Sequence, residues 1–365
     1  MSFDRREFFE RAAAAAAGLR ATGLGVEAQQ RGSMPTPQAR GLMNVFGLRV
    51  PIFCSGMGLA AAPDLAVAVS NAGGLGSLGT GGEPPVDQMR TRVEQTRAGT
   101  TGPFSVNYIL HNRPISLQAV LDAGAPVIHF AFGLPSADMI RAIRRAGARM
   151  GVQVSGADGA RRALDLSADY LVCQGTEAGG HVQALSPLSR TLPAVIAEAK
   201  TIPVLAAGGL ATGTDIRRAL EAGAAGAFMG TRFLATKESD AHPEHKAALL
   251  RANGDDTALT ICFQDGWLYP HRVVRNRTVD MWEADGCPPP GRRPGENDIT
   301  GTYGPFPPYL SETRQRRRYS ASMPRPGERG QIAEQPLYAG VGVGSVRDLP
   351  SAGDLVARLW KECLG

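Results

Sequence analysis

The amino-acid sequence predicts an α/β fold: a TIM-type (β/α)8 barrel with an additional irregular C-terminal lobe. Three observations predict it. Short apolar runs alternate with helix-like stretches between residues 50 and 229, and there are eight of them, the number a closed parallel barrel needs. Glycines and neutral polar residues collect where the runs end, the edge at which barrels assemble their sites. Beyond residue 254 the rhythm stops, and the chain becomes rich in Pro, Gly and Arg.

Residues 1–33 stand apart. Asp4-Arg5-Arg6-Glu7-Phe8-Phe9 precedes the alanine run Ala12 to Ala17, and Val26-Glu27-Ala28 ends in a small-residue pattern suited to cleavage. This resembles a twin-arginine export signal, although acidic residues flank the arginine pair and Arg20 interrupts the apolar region. A frayed alanine-rich arm is the other reading. Localisation is accordingly cytoplasmic, or exported in the folded state if residues 1–28 act as a signal.

The barrel is expected over residues 42–254. Its candidate strands are Val50 to Cys54, Leu75 to Leu78, Phe104 to Ile109, Val127 to Phe132, Met150 to Ser155, Tyr170 to Gln174, Pro203 to Ala207 and Ala225 to Met229. Between them, Pro63 to Asn71 opens with Pro-Asp, as a first helical turn does, and stops before Gly73-Gly74. Asp158 to Leu166 and Thr214 to Ala222 place arginines on one face and Ala or Leu on the other. Gly74-Leu75-Gly76-Ser77-Leu78-Gly79 spells the dinucleotide-binding fingerprint of an open doubly wound sheet, but a helix-like segment precedes it and no helix start follows. It reads as a glycine-rich strand. His242 to Ala252 is the expected last outer helix.

Residues 255–345 are expected to form a lobe over the barrel mouth, because Trp267, Tyr269 and Trp282 need something to pack on. Arg316-Arg317-Arg318 is expected on a solvated face. Residues 346–365 contain a closing amphipathic helix with Val356, Leu359 and Trp360 on one face, packing back on the barrel.

A net charge of +5 implies no more than a general attraction to anions, and no aromatic interleaving suggests a nucleic-acid partner. Five widely spaced cysteines, an odd number without a CxxC pair, argue against a disulfide framework or zinc site. No apolar run is long enough to form an integral membrane span.

The chemistry gathers at strand ends. Gly208-Gly209 and the turn Phe228-Met229-Gly230-Thr231 follow the seventh and eighth candidate strands, where barrels commonly build phosphate sites from backbone amides. A flavin, a dinucleotide or a sugar phosphate would satisfy that signal. Ser55-Gly56-Met57 ends the first strand, Asn107 lies in the third, and Gln174 ends the sixth. These small or neutral hydrogen-bonding residues suit the amide-rich edge of an isoalloxazine ring, and no His/Asp/Glu cluster suggests a metal. The loop after Gln174 carries Gly179 and Gly180, which permit close backbone approach, and His181, which titrates near neutrality. His129 reads as a core histidine, His111 as a surface one, and His242, His245 and His271 as peripheral. Cys54 and Cys173 read as small core residues.

Together these residues resemble the nitronate monooxygenase (2-nitropropane dioxygenase) family, FMN-dependent barrels related to the FMN-dependent enoyl-ACP reductases. The resemblance is carried by Pro51-Ile52 through Gly58, Ala72-Gly73-Gly74-Leu75-Gly76, Asn107, Gln174-Gly175, Glu177-Ala178-Gly179-Gly180-His181, Ala207-Gly208-Gly209, Gly230-Thr231-Arg232-Phe233 and Lys237-Glu238-Ser239. It covers roughly residues 42 to 255. Val182-Gln183 departs from it, standing where a basic residue and a glycine are expected.

The resemblance implies FMN held by Met57, Asn107, Gln174, Gly179, Gly209 and the Phe228 to Thr231 turn, with His181 facing the substrate. It further implies oxidation of an alkyl nitronate, or of a nitroalkane, by FMN and O2 to a carbonyl compound and nitrite. His181 would act as a general base or, protonated, would hold the nitro oxygens. An FMN-dependent NAD(P)H reductase of enoyl thioesters or quinones is the alternative, and a non-redox phosphate-ligand barrel is the alternative of another class. Expected partners are a small-molecule nitronate or nitroalkane and O2, with a homodimer as the candidate assembly.

Overall fold

The computed structural model describes residues 34–81, 84–305 and 312–365. The export-signal reading of the N-terminus therefore lies outside the described residues.

Eight parallel strands form the barrel: β1 (Ile52–Cys54), β2 (Gly76–Gly79), β3 (Phe104–Ile109), β4 (Val127–Ala131), β5 (Arg149–Val154), β6 (Tyr170–Gln174), β8 (Val204–Ala207) and β9 (Gly226–Met229). β7 is the two-residue strand Gly180–His181, which belongs to another sheet. The barrel ladder runs β1-β9-β8-β6-β5-β4-β3-β2, and a Phe53–Leu75 bridge closes it, with Leu75 N–H donating to the Ile52 carbonyl at 2.9 Å. The strands read as continuous apolar runs because helices cover them outside while side chains fill them inside. Ile128, Phe130, Met150, Val152 and Leu171 pack outward, whereas Phe53, Tyr170, Val172 and Leu205 fill the interior.

The fingerprint-like glycines are steric features of β2. A Cβ on Gly76 would lie 2.1 Å from the Ala66 carbonyl oxygen, and one on Gly79 would lie 1.9 Å from that of Gly58. They let the neighbouring chain approach the strand and hold no phosphate-binding helix. A helix at Pro37–Phe46 begins ahead of the expected barrel boundary at residue 42; Thr36 caps it, and Gly47 ends it in the left-handed conformation. Its Phe46 meets Phe53 and Tyr170 edge-on, with ring centroids 5.8 and 5.4 Å away, joining the interior cluster.

The lobe is more regular than its composition suggests. β10 (Thr257–Thr260) and β11 (His271–Val274) form an antiparallel sheet with β7, and β12 (Ile299–Tyr303) pairs with β13 (Arg314–Arg317) and β14 (Arg329–Gly330). Ile261, Phe263, Val273, Val279, Trp282 and Tyr319 make its core.

The arginine triplet corrects the expectation of a solvated face. Arg316 and Arg318 are buried and only Arg317 is exposed, since alternate residues of a strand point to opposite sides. Arg316 makes a bidentate pair with the buried Glu328 at 2.7 and 2.9 Å, and Arg318 pairs with Asp298 and Glu334. The helix Ala352–Leu364, capped by Ser351, buries Leu355, Val356, Leu359 and Cys363 and crosses the helix Gly213–Glu221 closely. A Cβ on Gly213 would lie 2.3 Å from the Leu359 carbonyl oxygen. Among the described residues no helix is long and apolar enough to cross a membrane.

Candidate active site

The C-terminal ends of the barrel strands and the inner face of the lobe enclose a cavity of about 280 Å³. Ser55, Gly56, Met57, Asn107, Gln174, Gly179, Gly180, His181, Phe228, Gly230 and Thr231 line it from the barrel side. Trp267, Arg325 and Tyr338 line it from the lobe. A smaller recess of about 70 Å³ continues it toward β8 and β9, bounded by Gly208, Gly209, Met229, Gly230, Thr231, Gly340 and Gly342. Ser55, Gln153, Gln174, Gly179, Phe228, Gly230 and Thr231 border both, so His181 and the thirteen candidate cofactor-binding residues border two adjoining spaces.

The recess is shaped by missing side chains. Gly208 and Gly209 adopt positive φ of 117° and 73°, and a Cβ on Gly209 would crowd Glu177 and Val341, each at 3.2 Å. Gly56 lies against Asn107, with its hypothetical Cβ 2.3 Å from that of the asparagine. Asn107 is held through its carbonyl, which accepts from the Thr80 hydroxyl at 2.9 Å. Its amide remains at the cavity wall.

Gln174 lines the cavity and also anchors the loop that follows it. Its amide nitrogen donates to the His181 carbonyl at 3.1 Å, and its oxygen accepts from the Gln183 N–H at 2.7 Å. Thus it holds the histidine loop. Gln183, where the family pattern breaks, accepts from the Phe132 N–H at 3.0 Å and contacts Gln153 at 3.3 Å, tying the ends of β4, β5 and β6 together. Phe132 needs that anchor because its φ is +58°, an uncommon conformation for a bulky residue.

His181 sits on a strand shared by barrel loop and lobe. It pairs in register with His271 of β11, and Arg272 pairs with Gly180. The Arg272 guanidinium donates twice to the Thr176 carbonyl, at 3.1 and 2.8 Å. Glu177 caps the helix Leu188–Ala199 by accepting from the Leu188 N–H at 3.0 Å. The loop is therefore fixed from both sides.

Aromatic rings surround the imidazole: Trp267 at 3.9 Å between centroids, Tyr338 at 5.3 Å and Phe132 at 6.3 Å. Part of the ring retains solvent exposure, but Nε2 is buried without a hydrogen-bond partner. Burial, helped by His271 and His111, pushes the His181 pKa down to about 3. The neutral imidazole is the resting form, which disfavours the cationic role. His271 is buried and belongs to the same ladder, so it is not peripheral as expected; its Nε2 accepts from the Phe263 N–H at 3.2 Å.

His129 lies inside the barrel, where Nδ1 meets the Tyr170 hydroxyl at 3.2 Å and Nε2 has no partner. His111 is exposed but touches Trp267 and Tyr269 edge-on. Burial raises the Cys54 and Cys173 thiols, the latter to about 11, so neither presents a thiolate. No reading of the sequence places Gln153, Arg325 or Tyr338 at the site, and Trp267 is placed only in the lobe over the barrel mouth. Gln153 alone had a local signal: it shares the inward parity of Gly151 on β5.

A sequence model of the nitronate monooxygenase family matches residues 40–116 and 111–362. The chain belongs to the nitronate monooxygenase family. It is therefore a flavin-dependent oxidoreductase. It is 29% identical over 370 residues to a nitronate monooxygenase of Paraburkholderia phytofirmans, covering 88% of this chain and 94% of that protein. A carboxyl-CoA dehydrogenase of Mycobacterium tuberculosis is 35% identical over 249 residues, 67% of this chain and 68% of its own. Among solved structures, the nitroalkane oxidase of Streptomyces ansochromogenes superposes with a TM-score of 0.71 at 30% identity, covering 88% of this chain and 97% of that one. FabK of Thermotoga maritima gives 0.69 at 25% identity, covering 88% and 95%.

Proposed function

We propose that the protein is an FMN-dependent nitronate monooxygenase that oxidises alkyl nitronates, and nitroalkanes after proton removal, with O2 to carbonyl compounds and nitrite. One observation carries this reading: a neutral histidine with an unpartnered Nε2 beside a largely apolar cavity that runs into a glycine-walled recess. The whole-length likeness to a nitronate monooxygenase and a nitroalkane oxidase supports it.

The residues fit the flavin in kind. Ser55, Gly56, Met57, Asn107, Gln174, Gly179 and Gly180 would hold its ring system, with Phe228 at the junction. Gly208, Gly209, Met229, Gly230 and Thr231 would hold its phosphate, where side chains would obstruct approach. When bound, FMN supplies electron acceptance from a carbanion and reaction with O2.

His181 would remove the α-proton of a neutral nitroalkane at Nε2. Its low pKa keeps the imidazole neutral at neutral pH, so that in the tautomer protonated at Nδ1 the Nε2 lone pair is the acceptor, and the surrounding rings limit competition from bulk water. Replacing His181→Asn should lower turnover of a neutral nitroalkane about 10²- to 10⁴-fold, and that of the preformed nitronate far less. Equal turnover of both substrates by variant and parent would remove the base assignment.

The purified protein should show a flavin absorption spectrum that nitronate bleaches anaerobically. Rapid bleaching by NADH or NADPH, with none by nitronate, would instead identify an FMN-dependent NAD(P)H reductase.

A further inference from the structure

Gln153, near the end of β5, lines both the cavity and the recess and is buried to all but 7% of its surface. The proposed chemistry leaves it unused. Which end of its amide faces the open space follows from a chain of hydrogen bonds that starts on the backbone. The Phe132 N–H can only donate, so the Gln183 atom 3.0 Å away is its side-chain oxygen, and the Gln183 amide nitrogen is turned to the Gln153 backbone carbonyl at 3.4 Å. That same Gln183 oxygen accepts from the Gln153 amide nitrogen at 3.3 Å. A flip of either amide would set donor against donor or acceptor against acceptor.

The Gln153 side-chain oxygen is what remains. It has no partner among the described residues and is not one of the side-chain atoms sealed from solvent, so it opens on the space the residue lines. Its neighbours are committed differently: Gln174 uses both ends of its amide on the His181 loop, and the Thr231 hydroxyl accepts from the Gly340 N–H at 2.9 Å. An acceptor held largely out of water without a partner is stabilised when a ligand brings it an O–H or N–H.

We propose that the Gln153 side-chain oxygen binds a hydroxyl of the ribityl chain of the flavin, and that Gln183 is the positioning residue that aims it. The ribityl chain joins the ring of FMN to its phosphate, and Gln153 borders both the space assigned to the ring and the recess assigned to the phosphate. Its hydroxyls can donate, whereas the ring edge offers mainly acceptors. Gln183 stands where the family resemblance has glycine, so the aiming device belongs to this chain. The inference rests on the proposed function for the presence of FMN and is independent of which substrate the flavin oxidises.

Titration of flavin into the full-length protein, followed by quenching of flavin fluorescence, tests this with FMN and with its 5-phosphopentyl analogue, which keeps the ring and the phosphate but has no chain hydroxyls. Gln153→Met should weaken FMN binding about 10-fold and leave the analogue within about twofold. Gln183→Met frees the Gln153 amide to turn and should give part of that FMN-selective loss. Gln183→Glu keeps an oxygen for the Phe132 and Gln153 donors and should bind FMN nearly as the parent does. Retained binding of the analogue shows that each variant is folded. Equal weakening of both flavins in Gln153→Met, or no weakening of FMN, would overturn the proposal, and a Gln183→Met variant that binds FMN like the parent would overturn the aiming role. A parent protein that shows this selectivity but oxidises no nitronate removes the proposed oxidation and leaves the Gln153 assignment standing, whereas a parent that binds no FMN removes both.

Discussion

On the barrel side of the cavity, Ser55, Asn107, Gln153, Gln174 and Phe228 arrive on strand ends whose spacing is set by a backbone ladder. On the lobe side, Trp267, Arg325 and Tyr338 arrive on loops, and buried arginines paired with distant carboxylates hold the lobe around them. A ladder fixes position through many weak, local bonds, whereas the lobe concentrates its order in a few ion pairs that cannot lose one partner cheaply. The histidine sits where the two systems meet, on a strand the lobe lends to a barrel loop. Substitutions at that seam should therefore cost more function than equal damage elsewhere on either side.

Gly179 is the sharpest place to break the joint. A Cβ there would lie 2.3 Å from the Gly340 nitrogen and 2.5 Å from the Ala339 carbonyl carbon, and both neighbours are backbone. Neither can rotate away. Gly179→Val should destabilise the seam by about 3 kcal/mol or more, with flavin lost on purification and the lobe opened to protease. A variant that keeps its flavin and its resistance would show that the lobe merely leans on the barrel.

Arg272 gives the next largest effect. Its guanidinium bridges the lobe to the Thr176 carbonyl and to the Thr257 hydroxyl, and burial lowers its pKa to about 10, leaving it charged at neutrality. Arg272→Met leaves that carbonyl without its donor and should cost about 2 kcal/mol in denaturant unfolding. Nitroalkane turnover should fall further than the stability loss alone explains, because His181 is two residues beyond Gly179 on the released loop, and Arg272→Lys should recover part of both. Matching losses in stability and turnover would make Arg272 an ordinary structural contact.

The same contrast explains what the sequence could disclose. Barrel strands announce themselves because period and burial are local: Tyr170, Val172 and Gln174 share one parity, and the interior they enter needs no knowledge of distant residues. The glycines after β8 and β9 are legible for the same reason. The lobe is opaque because its determinants are non-local. Arg316 reads as surface charge until Glu328 is folded against it, and nothing near Trp267 in the chain places it over His181. Likewise Val182-Gln183 looked like a departure, yet Gln183 proves to join three strand ends. The helix Pro37–Phe46 was readable from its Thr36 cap, Pro37 and terminal Gly47, local signals that the barrel rhythm starting at Val50 did not include.

Trp267 offers the smallest and most specific test of the shared seam. Its ring centroid, 3.9 Å from that of His181, contributes to the burial that depresses the imidazole pKa to about 3. A general base must be unprotonated, so in the parent kcat/KM for a neutral nitroalkane should stay flat from pH 8 down to at least about pH 5, well below the ordinary histidine value of about 6.5. Trp267→Leu admits water, raises the histidine pKa toward 6.5 and should bring the acid limb up into the range of about pH 5 to 6.5. The loss at pH 8 should be only a few-fold, since the imidazole is neutral there in both proteins. Stability moves in the matching sense. A histidine whose pKa is lower folded than unfolded contributes fully above about pH 6.5, and that contribution declines as pH falls toward the folded value. The variant should thus lose less of its own stability between pH 6.5 and 4 than the parent does. An acid limb near 6.5 already present in the parent would show that water reaches His181 despite the lobe, and that the barrel alone sets its chemistry.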